Sequence, residues 1–207
     1  MSCIHSGIEK YTLLDSKVIF IDKTCFYHVN NYTLDVPKDV QNIWIDESFN
    51  EWNEHLHRYG YSFKRTEDKF KATLQIWFVG GETKILPTDE YKYLMNDPGM
   101  VGFYVVGKGL LYIDDDLDFK DDINLKVVLI HEIGHALGIG HTIISNDYMY
   151  PKYQPGNYFT SDTLAAIRKI YAPNTVKNSL LNLTVWEIIG VITVLFLTYK
   201  LLTNAFE

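Results

Sequence analysis

Cysteine is scarce: Cys3 and Cys25 are the only two in 207 residues. They allow one disulfide at most, which excludes a disulfide-stapled scaffold and leaves the redox compartment open. Basic residues are also in deficit. Nineteen Lys and Arg stand against 26 Asp and Glu, a net charge of −7, so the chain lacks the basic face that nucleic acid needs. No secretory leader is legible, because the apolar run at 18–21 (VIFI) is too short and meets Asp22 and Lys23 at once. Histidine is missing from the whole interval between His57 and His131. Alanine is sparse while isoleucine, asparagine, lysine and tyrosine abound, a bias expected of an AT-rich genome such as that of a large DNA virus of invertebrates. Core-forming material is plentiful. With 47% hydrophobic and 14% aromatic residues, the length suits one domain of about 150–160 residues and a tail.

The histidines missing upstream are gathered in the run HEIGHALGIGH, residues 131–141. On a helix, His131 and His135 leave the same face one turn apart. That separation lets two imidazole nitrogens each sit about 2.0–2.1 Å from one zinc ion. Glu132 can reach toward the ion without ligating it and take a proton from an activated water. Gly138 lets the chain leave the helix, since glycine adopts left-handed dihedrals at little cost. The turn returns His141 as a third ligand and leaves a fourth position open. The competing account is a pair of satisfied core histidines on an apolar helix. Three converging imidazoles without a metal would each need a hydrogen-bond partner, which favours the zinc site.

HExxHxxGxxH is the signature of the metzincin zinc endopeptidases, and the chain resembles their matrixin branch. Met149, in DYMYPKY, resembles the methionine turn that lies beneath the zinc in that superfamily. The likeness extends over residues 18–173. Residues 26–39 resemble the first strand and the segment after it, 101–106 and 110–113 the last strands before the active-site helix, and 160–172 the closing helix. Periodicity adds a helix at 40–58, with Val40, Ile43, Trp44, Phe49, Trp52 and Leu56 at helical spacing. It also adds a strand from Tyr61 and Phe63, and another at 72–81. Asp121 or Asp122 is the expected cap of a helix running from Ile123 to Leu137, and Ser161 or Asp162 that of the last helix. The expected fold is α/β (α+β by some schemes): a twisted, mixed five-stranded sheet with three helices. Strand, long helix and strand in sequence suit a parallel crossover, and the resemblance implies an antiparallel edge strand facing the cleft.

The resemblance also marks departures. Matrixins carry a structural zinc and calcium ions in the loops before the active-site helix. Tyr112 stands where one zinc ligand is expected, and the histidine-free interval points to loss of that structural zinc. Asp114 and Asp116 match acidic calcium positions, whereas Leu117 replaces a carboxylate. A retained calcium and a solvated acidic loop both remain open. The expected form is minimal, without a prodomain, because the likeness to the catalytic domain begins within about 20 residues of Met1. Cys3 does not resemble the family's latency cysteine, and Cys25 is expected in the core.

Residues 1–17 are assigned to an N-terminal segment, 18–173 to the catalytic domain, 174–179 to a linker, 180–202 to a transmembrane helix and 203–207 to a tail. The apolar stretch from Ile188 to Tyr199 is bracketed by Trp186 and Tyr199, with Lys200 placed to snorkel. With its flanks it reaches about 20–23 residues, enough to span a bilayer. Glu187 supports the other account, an amphipathic helix docked on the domain or a partner. The expected localisation is a C-terminally anchored, single-pass membrane association, such as a virion or host-cell membrane, with its side unresolved. Asn31 and Asn182 begin glycosylation triplets of a kind common by chance.

The expected function is a zinc-dependent endopeptidase acting on an extended protein or peptide substrate. Glu132 is the catalytic base, and His131, His135 and His141 are the ligands. The resemblance places Gly102, Phe103 and Tyr104 on the substrate-pairing strand and Tyr150 and Pro151 beside the cleft. It makes 143–156 the wall of the specificity pocket. The alternative is a catalytically silent binding or structural protein on the same scaffold.

Overall fold

Strict alternation builds the sheet. In the strand Leu74–Val79, Leu74, Ile76 and Phe78 join the main core, whereas Val79 and Trp77 belong to a smaller cluster on the opposite face. The computed structural model describes residues 11–13 as backbone, and 19–80, 99–119 and 124–172 with side chains. A compact unit, Met1–Tyr171, holds every described strand and α-helix. In chain order these are β1 (Tyr11–Leu13), β2 (Thr24–Val29), α1 (Lys38–Leu56), β3 (Ser62–Arg65), β4 (Leu74–Val79), β5 (Gly102–Val105), β6 (Leu110–Asp114), α2 (Leu125–Ala136), β7 (Ile139–Thr142) and α3 (Ser161–Tyr171).

The principal sheet has five strands in the order β3-β2-β4-β6-β5. β2 pairs in parallel with β3 and β4, and β4 with β6, while β5 lies antiparallel to β6 at the edge. This is the expected mixed sheet with its antiparallel edge, and three α-helices accompany it among the described residues. Side chains from all three meet the inner sheet face in one core. α1 contributes Ile45, Phe49, Trp52 and Leu56, each at most 1% exposed. Ile43, expected on that apolar stripe, is instead 55% exposed, because the spacing that buries Phe49 and Trp52 selects position 45. Phe49 stacks on Tyr27 of β2 at 3.6 Å between centroids. Asn53 clips α1 to β3, accepting from the Phe63 N–H at 2.7 Å and donating to its carbonyl at 3.2 Å. Cys25 is fully buried, as expected of a core residue, and burial pushes its thiol up to about 12.

Two further details correct the expectations, and a third adds to them. The cap of α2 is Asn124, whose side chain accepts from the Lys126 and Val127 N–H groups, and the helix begins at Leu125 rather than Ile123. Residues 139–142 form a strand, β7, paired antiparallel with β1, so residues 11–13 belong with the domain instead of preceding it. Asn31 spends its side-chain amide on both sides of the Phe78 backbone, donating at 2.7 Å and accepting at 2.8 Å. That ties the segment after β2 to β4. The expected linker, hydrophobic helix and tail, Cys3, Asn182, Asp121 and Asp122 lie outside the described residues. Among the described residues, no helix is long and apolar enough to cross a membrane.

Candidate metal centre

α2 presents His131 and His135 on one face, and its position is fixed from behind by α1. The Trp52 indole donates to the Ile130 carbonyl at 3.0 Å, beside the first histidine. The helix closes where the Gly138 N–H meets the His135 carbonyl at 3.0 Å. Gly138 then adopts φ +85, a left-handed conformation that L side chains resist, and the chain reverses into β7 carrying His141.

The three rings converge. His135 Nε2 lies 3.0 Å from His131 Nε2 and 3.2 Å from His141 Nε2, and the remaining pair is 3.3 Å apart. The other nitrogen of two rings is already committed. His131 Nδ1 lies 2.7 Å from the Tyr148 carbonyl and His135 Nδ1 2.8 Å from the Ile139 carbonyl. A carbonyl only accepts, so Nδ1 carries the proton and each Nε2 turns a bare lone pair to the centre. Burial lowers the pKa of both rings, and for His135 the neighbouring His131 and His141 add to the effect. Crowded lone pairs on neutral rings are unfavourable until a cation sits between them. Nitrogens arranged tetrahedrally at about 2.0–2.1 Å from zinc stand about 3.3 Å apart, close to the spacing found. The residues therefore fit a zinc ion. Among the described residues these histidines form the sole group of three or more His, Cys, Asp or Glu donors able to share one ion.

Glu132 is 4% exposed, and its Oε2 has no hydrogen-bond partner. Burial pushes its carboxyl up to about 8, against a hydrogen bond from the Tyr104 backbone that pulls it down. Gly102 of β5 lies against this side chain: a Cβ there would stand 2.8 Å from Glu132 Cγ and 2.9 Å from Oε1. β5 therefore touches the carboxylate with backbone. Tyr104, expected in the cleft, is 3% exposed and packs its ring into the core, because alternation along β5 sends that position inward. Phe103 turns to the outer face and packs with Trp77, Val79 and Tyr112.

Met149 is fully buried. Gly134 makes room for it, since a Cβ there would overlap its sulfur and stand 3.0 Å from the Trp52 ring. Tyr150 comes next in the same turn, its N–H donating to the Asp147 carbonyl at 3.0 Å, and Pro151 is exposed beyond it. Ile143, at the start of the expected pocket wall, is 76% exposed. Asp116 donates its N–H to Asp114 Oδ1 at 3.0 Å, and burial raises the Asp114 pKa. The two close a tight acidic turn.

Two residues of this region escaped the sequence. Gly134 carries no sign of its packing role within the histidine motif. Asp147, fully buried, accepts from the Met149 N–H at 2.7 Å, and an aspartate two residues before a turn residue was a legible sign of that bond.

The matrixin family model matches residues 20–172. The chain belongs to the matrixin family. It is 30% identical over 163 residues to stromelysin-1 of Rattus norvegicus, covering 72% of this chain and 32% of that protein. It is 26% identical over 182 residues to human matrilysin, covering 82% and 64%. With metalloendoproteinase 1-MMP of Arabidopsis thaliana the identity is 27% over 179 residues, covering 79% and 47%. The chain thus spans between 32% and 64% of the length of these relatives.

Proposed function

We propose that this matrixin is a zinc-dependent endopeptidase. The observation that carries the proposal is the convergence of three imidazole Nε2 atoms within 3.3 Å of one another beside a buried carboxylate. His131, His135 and His141 hold the ion. When bound, zinc supplies Lewis-acid activation of water and of the scissile carbonyl. Glu132 takes the proton released as water attacks and returns it to the departing amine. Strand β5, last in the sheet and in contact with Glu132 through Gly102, is where an extended peptide adds by strand pairing.

The reading includes one catalytic zinc and no structural zinc. Supporting it, Tyr112 is fully buried among Trp77, Val79, Val105 and Leu110, so apolar packing fills the place where the resemblance puts a ligand. Calcium at Asp114 and Asp116, and membrane anchoring through 180–202, belong to the same proposal and rest on the sequence.

Elemental analysis paired with a fluorogenic peptide screen tests the assignment. The expected result is one zinc per chain with cleavage abolished by a chelator. Glu132→Ala should keep the zinc and lose at least about 10²-fold in kcat. Full activity in Glu132→Ala would refute the mechanism, and stoichiometric zinc with no turnover on any peptide would favour a silent binding protein.

A further inference from the structure

The Asp147 carboxylate is fully buried and gathers four donors. Oδ1 accepts from the Met149 N–H at 2.7 Å. Oδ2 accepts from the Thr160 N–H at 3.1 Å and from the Thr160 hydroxyl. The Thr163 hydroxyl lies 2.7 and 2.8 Å from the two oxygens. Thr160 precedes α3 and Thr163 lies in its first turn, so the carboxylate ties the methionine turn to the start of that helix. The turn is held on its other side as well, by the Tyr148 N–H on the Tyr158 carbonyl at 3.1 Å.

One peptide unit joins this cluster to the metal centre. The N–H of Met149 and the carbonyl of Tyr148 belong to the same planar group, and in a trans peptide they point in opposite directions. The N–H points at Asp147 Oδ1, and the carbonyl accepts from His131 Nδ1 at 2.7 Å. A carboxylate, a peptide and an imidazole are thus in series. Hydrogen bonds in series polarise one another in a low-dielectric interior. A carboxylate on the N–H makes the carbonyl a stronger acceptor, and a stronger acceptor on Nδ1 makes Nε2 a better donor to a metal.

We propose that Asp147 is a positioning residue for the metal centre, fixing the orientation of His131 and strengthening its Nε2 through the Tyr148–Met149 peptide. This deepens the reading of the site as a zinc centre and rests on it. Where a metal-binding histidine usually meets its carboxylate directly, here a peptide stands between them.

The test measures zinc affinity of the full chain by chelator competition, together with the His131 Nδ1–H resonance of the metal-free protein. Asp147→Asn replaces one acceptor oxygen with a donor and removes the charge. Its expected effect is a zinc affinity weaker by about 10–100-fold, as when a direct outer partner is lost, with faster solvent exchange of the Nδ1–H. Asn53→Ala is the control for stability alone, because it removes the α1–β3 clip and should lower Tm without moving zinc affinity or the resonance. Should Asp147→Asn fail to fold, Asp147→Ser keeps a hydroxyl acceptor for the Met149 N–H and carries the same prediction in smaller measure. Unchanged zinc affinity in the folded variant overturns the inference, as does an equal loss in Asn53→Ala. A wild-type chain that binds no zinc overturns the proposed function itself, and so the two failures are distinguishable.

Discussion

Gly102 has no side chain where Glu132 needs the space. A Cβ would come within 2.8 Å of Glu132 Cγ, closer than real Cβ atoms approach, so Gly102→Ala should displace the carboxylate while leaving the histidines in place. Misplacing a catalytic group by about 1 Å can cost about 10²-fold in rate. A loss of that order in kcat, with zinc content unchanged by elemental analysis, is the expected outcome. Wild-type kcat in Gly102→Ala would show that Glu132 has room to spare. At this scale the sequence was legible wherever chemistry tracks spacing: three histidines and a glutamate could be named from HEIGHALGIGH, and a methionine from DYMYPKY. Gly102 and Gly134 were not legible in the same sense. Each matters through a Cβ it lacks, and the side chains that fill the space come from elements distant in sequence.

The active-site helix owes its start to Asn124. That side chain satisfies two of the N–H groups that a helix leaves unpaired in its first turn, and Tyr153 receives the Asn124 N–H at 3.0 Å. Asn124→Ala should therefore destabilise the domain by about 0.5–2 kcal/mol, read as a lower urea midpoint with an unchanged m-value. Catalysis at permissive temperature should persist, because the histidines lie turns away from the cap. An unaltered midpoint would mean that tertiary packing alone starts the helix. Elements with long periodic patterns, such as α1 and β4, could be read directly from the chain. The β1–β7 pair could not: strands of three and four residues are too short to show a period, and β7 sits inside a motif that already had a meaning. The cap was misplaced for a related reason. The acidic run before the helix offers several residues able to accept from a first turn, and only packing selects among them.

At the scale of the domain, the described α-helices share one core with a single face of the sheet, and the compact unit closes at Tyr171. Deleting everything after Pro173 should therefore yield a domain with the same zinc content and melting temperature. The full chain, if 180–202 anchors it, should sediment with membranes and require detergent for release. A truncated form that aggregates or melts several degrees lower would instead point to a tail docked on the domain. The opposite sheet face gives the metal a particular standing. Val79, Val105, Leu110 and Tyr112 are buried there, with Trp77 and Phe103 packed over them, and on the proposed reading without a structural zinc these side chains hold that face together. Chelation should then leave the near-ultraviolet circular dichroism close to that of the loaded protein, and added zinc should restore cleavage without refolding. A collapse of that signal on chelation would show the frame to be ion-dependent after all. An unchanged signal would make the ion a detachable tool, held in a frame that stands without it.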